Sequence, residues 1–397
     1  MTVLEVKLRI IACESMNIVW ISKISMDMPH KTSRLKMSEA LRRRGHNVTL
    51  YMVKKFGEKN FTSPNIVLIP TINLPILSGL FFGLIVFFGF PVVLSRKKID
   101  VIIIDCTKVW LPFVVPLKML NMPIILDIRT LPIDSEKSFF FSVSLYLSRF
   151  IVNGVTTITP ELNKILRDVY NLKNKEVGVW SSGVSIEDFN KIDINQHTVR
   201  EVRNGGFTLI YHGDYSPTRG IEDLIKAIGK LNPPLKDKVR LLIIGMPTNK
   251  IKDLLKLSEE EGVKEQVKIL PKIEYNKITQ YLKISDVGVV PLPPENRWWQ
   301  VSAPLKTLEC LAAGKPVIAT KIPFHRKIFE KGNCGILIES SKPEVIAKAI
   351  TFLYKNQEEL KEMGIEGRKI VEKFYTWDCM AQEVEEFLKT FNSGILI

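Results

Sequence analysis

Short apolar runs, each followed by a helix-length segment, constrain this chain more than any other feature. In the amino-terminal part they lie at 17–22, 48–51, 101–104 and 124–126, the last two stopping at Asp105 and Asp127. After a polar stretch from Lys191 to Gly206 the alternation restarts, with runs at 207–212, 240–244, 266–270, 287–290, 316–319 and 335–338. Continuous apolar runs suit strands buried on both faces, and strands that alternate with helices build parallel sheets covered on both sides. Leu35, Met37, Ala40 and Leu41 supply a helical spacing that ends at Arg44-Gly45-His46, and Ile221, Leu224, Ile225, Ile228 and Leu231 share one face of a helix over 221–231. Ligands of such sheets bind beyond the carboxyl ends of the strands. That rule places the loop after Ser22, together with Asp105, Asp127 and Arg129, at a binding edge.

A chain of 397 residues is too long for one core and calls for two domains. The expected division is a possible extension over 1–15, a first α/β domain over 16–190, a linker over 191–206, a second α/β domain over 207–374 and a terminal segment over 375–397. The five cysteines are scattered, with neither a disulfide framework nor a metal spacing, which suits a reducing cytoplasm. A net charge of +14 favours a polyanionic partner. No nucleic-acid-binding motif accompanies the charge, so a membrane surface ranks above nucleic acid, and no nucleic-acid partner is expected.

Leu74 to Leu94 is apolar apart from Ser78, rich in Phe, and followed by Arg96-Lys97-Lys98. Its length would suffice to cross a bilayer, which takes roughly 20 residues. Crossing would divide the strands near 20 and 50 from the strand at 101–104, which must share one sheet. Two readings remain open: a segment over 74–98 that dips into an anionic membrane face, and a buried helix that covers the sheet. Phe139-Phe140-Phe141 and Trp110-Leu111-Pro112-Phe113 add apolar bulk in the same half.

The stretch from Ser302 to Ala319 reads as a helix capped by Ser302, opened near Pro304 and stopped by Gly314, then a buried strand. Glu309 lies one turn after Lys306, and its carboxylate either meets a ligand or makes a local pair with that lysine. With Glu309-Cys310-Leu311-Ala312-Ala313-Gly314-Lys315-Pro316-Val317-Ile318-Ala319, this stretch resembles the nucleotide-sugar signature of the group 1 glycosyltransferases (glycosyltransferase family 4, retaining, GT-B fold). Tyr211 to Gly220 is similar to the same family's basic loop, and Gly183 to Phe189 resembles its hinge, with Ser182 in place of an Asn.

The resemblance covers residues 17–390, and it implies an α/β fold of two Rossmann-like domains facing across a cleft, with the last helix crossing back to the first domain. It implies that Glu309 grips the donor ribose, while the turn at Ser302 and Ala303 and the loop at Gly213 and Arg219 meet the diphosphate. Lys272 would line the base pocket. The family's first acid would fall at residue 301, here Val301, and its loop arginine at 214, here Asp214. Lys306 is expected to supply the missing positive charge. In the first domain Asp127 and Arg129 stand where acceptor chemistry is expected, with a structural Asp–Arg pair as the alternative. His30, His46, His212 and His325 show no metal or triad spacing and are read as structural.

No Asp-x-Asp motif is present, which fits a fold that uses basic residues and a helix dipole instead of a metal. The expected activity is metal-independent, retaining transfer from a UDP- or GDP-linked sugar to a glycan or polyprenyl-phosphate-linked acceptor, without a cofactor. The setting would be peripheral, on the cytoplasmic face of the inner membrane. A nucleotide-sugar 2-epimerase and a non-catalytic membrane- or nucleic-acid-binding protein on the same fold remain alternatives.

Overall fold

The computed structural model describes residues 15–392 except 27, 29–30, 59–62, 72–73, 107–110, 131–134, 173–174, 191–201 and 203–205. His30, Trp110, residues 1–14 of the expected extension and nearly all of the 191–206 linker lie outside the described residues.

The chain forms two compact α/β units. One runs to Trp180 and takes the chain back from Met380; the other is Ser181–Cys379. Residues 181–190 therefore group with the second unit. The reason is backbone pairing: Val184 N–H donates to Tyr375 O at 2.9 Å, and Trp377 N–H returns a bond to Val184 O at 3.2 Å.

The first unit is built on β1 (Asn17–Ser25), β2 (Asn47–Lys55), β3 (Ile66–Thr71), β4 (Val101–Asp105), β5 (Ile124–Ile128), β6 (Gly154–Thr157) and β7 (Glu176–Val179). All pair in parallel, in the order β3-β2-β1-β4-β5-β6-β7. The second unit carries β8 (Phe207–His212), β9 (Val239–Met246), β10 (Val267–Pro271), β11 (Val287–Val290), β12 (Val317–Thr320) and β13 (Gly335–Ile338), also parallel, in the order β10-β9-β8-β11-β12-β13. In each sheet the chain grows outward on one side and then returns to the other side of its first strand. The strand order thus reverses between β1 and β4, and between β8 and β11, the points where open α/β sheets leave a crevice.

The Ile221–Gly229 helix buries Ile221, Leu224, Ile225 and Ile228 on the second sheet, joined by Leu231 just beyond it. The apolar segment after β3 is helical throughout, as Pro75–Leu84, a π turn over Ile85–Gly89 and Phe90–Ser95. Phe82, Val86, Phe90 and Leu94 are buried, while the opposite face is exposed. The buried face is that of a helix covering the sheet, and the other face leaves Leu77, Phe81, Leu84, Phe88 and Val92 exposed. Its flanking strands β3 and β4 lie in one sheet.

The Trp377–Asn392 helix begins in the second unit and ends in the first. Glu385 is buried there, accepting from Arg44 Nε at 2.5 Å and from Lys389 Nζ at 2.6 Å. A methyl group added at Gly154 would lie 2.5 Å from the Phe391 ring, and one at Gly178 would lie 2.6 Å from that of Phe387.

Candidate functional site

The crevice between β8 and β11 gathers most of the residues singled out in the second half. β8 ends at His212, and Gly213 follows with φ +119°, a conformation that favours glycine. The Gly213 backbone lies beneath Lys306: a Cβ there would sit 2.2 Å from Lys306 Cε. Gly245, the penultimate residue of β9, also approaches closely, since a Cβ there would lie 2.7 Å from Gly213 O. Gly220 (φ +69°) abuts Pro291 O, where a Cβ would come within 2.1 Å. Three glycines thus bring backbone, Lys306 and the Pro217–Arg219 turn together at the sheet edge.

The Leu305–Ala312 helix presents Lys306 and Glu309 to this edge. Pro304, not Ser302, occupies its N-cap, and Ser302 Oγ instead donates to Trp298 O at 2.6 Å. The expected cap is absent because the fixed φ of Pro304 moves the helix start past Ser302. Ala303 is buried, and its carbonyl accepts from Ser182 Oγ at 2.7 Å. At the far end Gly314 has φ +73°, as a left-handed stop requires. His325 anchors the helix from behind, bonded to Thr307 Oγ1 at 2.8 Å and Thr320 O at 2.7 Å. Burial pushes His325 down to about 4, so it stays neutral.

His212 Nε2 and Glu309 Oε2 are 2.7 Å apart. Burial raises the Glu309 pKa, but the His212 hydrogen bond, the nearby Lys306 and a hydrogen bond with Tyr275 outweigh it and hold the carboxyl below its usual range. His212 therefore belongs to the site, a role that sequence reading missed. Lys306 is pushed down to about 8, first by burial and then by Arg219, with Glu309 and Asp214 opposing. Two cations thus face one another at the crevice. The Arg219 guanidinium lies against the buried Tyr211 hydroxyl, and burial raises the phenol to about 12. Trp299 steadies the loop, donating from Nε1 to Thr218 O at 2.7 Å, with the Arg219 guanidinium 5.2 Å from its ring centroid. Asp214 is exposed. Lys272 lies apart, exposed beyond edge strand β10 and two strands from β8.

The first unit holds a second polar cluster, also at its strand reversal. Register sets Asp105 beside Asp127 and Asp127 beside Thr156 across β4, β5 and β6. Asp105 accepts from Trp20 Nε1 at 2.9 Å, Ser22 Oγ at 2.5 Å and Arg34 Nε at 3.0 Å. Asp127 accepts from Thr156 Oγ1 at 2.8 Å, and its other oxygen lies 3.8 Å from Arg34 Nη2. Burial raises Asp127, while Arg129 and Arg34 pull it back. Arg129 lies 3.5 Å over the Trp180 ring and donates to Trp180 O at 2.7 Å; burial lowers it to about 9. Asp127 is 1% exposed. This geometry suits a charge that fixes its neighbours better than a base that receives a proton from a bound substrate. Among the described residues, no group of three or more His, Cys, Asp or Glu side chains is placed to hold a metal ion.

The family model for glycosyl transferases group 1 matches residues 193–370, and that for glycosyltransferase family 4 matches residues 33–188. A D-inositol 3-phosphate glycosyltransferase of Paenarthrobacter aurescens is 25% identical over 253 residues, 62% of this chain and 60% of the relative. The chain spans about half the length of the curated relatives it matches. The sucrose-phosphate synthase of Thermosynechococcus elongatus shares the fold with a TM-score of 0.74 and 17% identity, covering 95% of this chain and 99% of that one. The Anabaena HepE protein, solved in complex with UDP, does so with a TM-score of 0.69 and 16% identity, covering 94% and 100%. These likenesses establish a GT-B fold of two Rossmann-like domains.

Proposed function

The chain belongs to the group 1 glycosyltransferases, and from that premise we propose that it moves a sugar from a nucleotide-diphospho-sugar to a lipid-linked acceptor at a membrane, retaining anomeric configuration and needing no metal. The observation that carries this reading is the joining of Gly213, Arg219, Lys306 and Glu309 at the β8–β11 reversal. Glu309 is an ionised acceptor suited to a ribose diol. Lys306 and Arg219 are neighbouring cations, and a diphosphate between them relieves their repulsion. The Ser302–Ala303 turn and the first N–H groups of the Leu305–Ala312 helix add dipole stabilisation to the leaving diphosphate. The departing phosphate then assists deprotonation of the acceptor, so no protein nucleophile is needed. The protein's part is alignment and charge stabilisation. We assign Asp127 and Arg129 to positioning on the acceptor side, and Lys272 to the rim of the base pocket. An anionic membrane meets the segment over 74–98, at the cytoplasmic face.

Calorimetric titration with UDP and with GDP, without metal, tests the donor site. Binding of either supports it and identifies the base; binding of neither overturns it. With a donor sugar, release of free epimerised sugar nucleotide in place of a transferred sugar would point to a 2-epimerase.

Two predictions refine the diphosphate contact. Lys306 keeps its proton up to about pH 8, whereas an unfolded lysine keeps it to about pH 10.4. Between these values the unfolded chain binds more protons, so stability without ligand rises with pH. A bound diphosphate draws the proton back onto Lys306. Affinity should therefore fall as pH rises through about 8, with proton uptake visible as a buffer-dependent binding enthalpy. A flat profile would remove Lys306 from the contact. Gly213→Ala displaces the Lys306 tip and strains the backbone, so nucleotide affinity should drop about tenfold and stability by about 1–2 kcal/mol. Affinity equal to that of the unaltered protein would count against the arrangement.

A further inference from the structure

The Ser135–Ile151 helix of the first unit carries Phe139, Val143, Tyr146, Leu147 and Phe150 along one stripe, each between 39% and 67% exposed. Soluble helices normally turn such a stripe inward. Between this stripe and the end of the Pro160–Val169 helix runs a groove of about 400 Å³, lined by Phe139, Val143, Tyr146, Leu147, Val169 and Tyr170. The Leu111–Leu120 turn packs against this helix and against the 75–95 segment. Lys118 on that turn ties the two, donating to Phe150 O at 2.5 Å. On the 75–95 segment Leu77, Phe81, Leu84, Phe88 and Val92, at helical spacing, are 41–68% exposed. The Leu111–Leu120 segment between these two surfaces exposes Val115 and Met119 as well, so the apolar exposure exceeds the isolated side chains expected of a soluble surface.

The charge around this layer is mostly positive, with Glu136 at the start of the Ser135–Ile151 helix and Asp168 beside Val169 as the acids at its margin. Residues 74–98, 111–120 and 139–151 contain no acid. Arg96 and Lys98 are exposed at one end, Lys118 is exposed in the middle, and Arg149 lies 3.9 Å and 4.4 Å over the Tyr146 and Phe150 rings. Lys175 is lowered by burial and by the nearby Lys118 charge, so two cations meet here as well. Aromatic and aliphatic side chains edged mainly by cations, with Glu136 and Asp168 at the margin, match the boundary between hydrocarbon and anionic headgroups.

We propose that the Ser135–Ile151 helix is a second membrane anchor beside the 75–95 segment, its groove taking the hydrocarbon of an anionic leaflet while Lys118, Arg149 and Lys175 meet the headgroups. This rests on the membrane reading above and adds a second contact to it. The layer lies on the bilayer and does not cross it, because the segments carrying it are tied to one sheet.

The test is co-sedimentation of the full chain with vesicles of phosphatidylcholine alone and of phosphatidylcholine with phosphatidylglycerol. The altered positions are exposed, so variants should stay folded, as equal melting temperatures would verify. Phe139→Ser, Leu147→Ser and Phe150→Ser together should weaken partition at least about tenfold, since each large apolar side chain withdrawn from hydrocarbon is worth roughly a factor of ten. Arg96→Ala with Lys98→Ala should weaken only binding to the anionic vesicles and reduce its salt dependence. Triple-variant binding equal to that of the unaltered protein, with the basic pair still needed, would overturn the second anchor and leave the membrane reading standing. No binding of the unaltered protein to either vesicle would overturn both. Self-association, in sedimentation velocity, that the triple substitution abolishes would overturn the second anchor alone.

Discussion

Glu309→Ala is expected to abolish measurable UDP or GDP binding, a loss of at least about 100-fold, or about 3 kcal/mol. The size follows from where the carboxylate sits. It accepts from His212 at 2.7 Å in a buried setting, and its ionised form is favoured despite that burial. Hydrogen bonds to a charged group are worth about 1.5–3 kcal/mol each, and a ribose diol makes two. Removal also leaves His212, itself buried, without its acceptor. Glu309→Gln keeps the shape and loses the charge, so it should fall between the two. Calorimetry of all three proteins decides the matter, and an alanine variant that binds within a few-fold of the unaltered protein would sink the donor site.

Arg34→Ala should cost about 3–5 kcal/mol of stability, the range for breaking a buried ion pair by removing one partner. Arg34 is the cation in direct contact with Asp105, and it also faces Asp127. Its loss leaves two neighbouring carboxylates with Arg129 as the remaining listener to their charge. The sign of the pH effect is fixed. A carboxyl whose folded pKa is raised binds protons that the unfolded chain has released, so its penalty shrinks as pH falls. The gap between variant and parent in chemical denaturation should therefore narrow toward about pH 5. A loss below about 1 kcal/mol that does not change with pH would show that the cluster is solvated.

Much of the fold was legible because buried parallel strands are written as uninterrupted apolar runs. All six strands of the second sheet lie within a few residues of such runs. Three strands of the first were not recognised. β3 ends with Pro70 and Thr71 at a sheet edge, β6 is four residues long, and β7 carries an exposed Glu176 and a half-buried Gly178. Edge position and brevity erase the hydrophobic signal. The cluster at the β8–β11 reversal was legible through Glu309, Lys306, Arg219 and Gly213. His212 was not, since its partner lies 97 residues further on and a strand-terminal histidine reads like any buried one. Its signal is its place directly before the strained Gly213. Arg34 had a sharper signal: it occupies the same helix face as Met37 and Leu41, where an apolar residue belongs. A charge at that position announces a buried counter-ion, which proved to be Asp105.

The return of the last helix has a consequence for biosynthesis. The first unit is the first to leave the ribosome and the last to be complete. Until residues 380–391 emerge, Gly154 and Gly178 have no aromatic cover, and Arg44 and His46 lack Glu385. Vectorial, domain-by-domain folding therefore cannot finish the amino-terminal half. Division of the gene at Trp180 would yield one fragment without its closing element and another carrying that element with nothing to close. A circular permutant that joins the last helix ahead of residue 15 is the form in which this half can be made by itself.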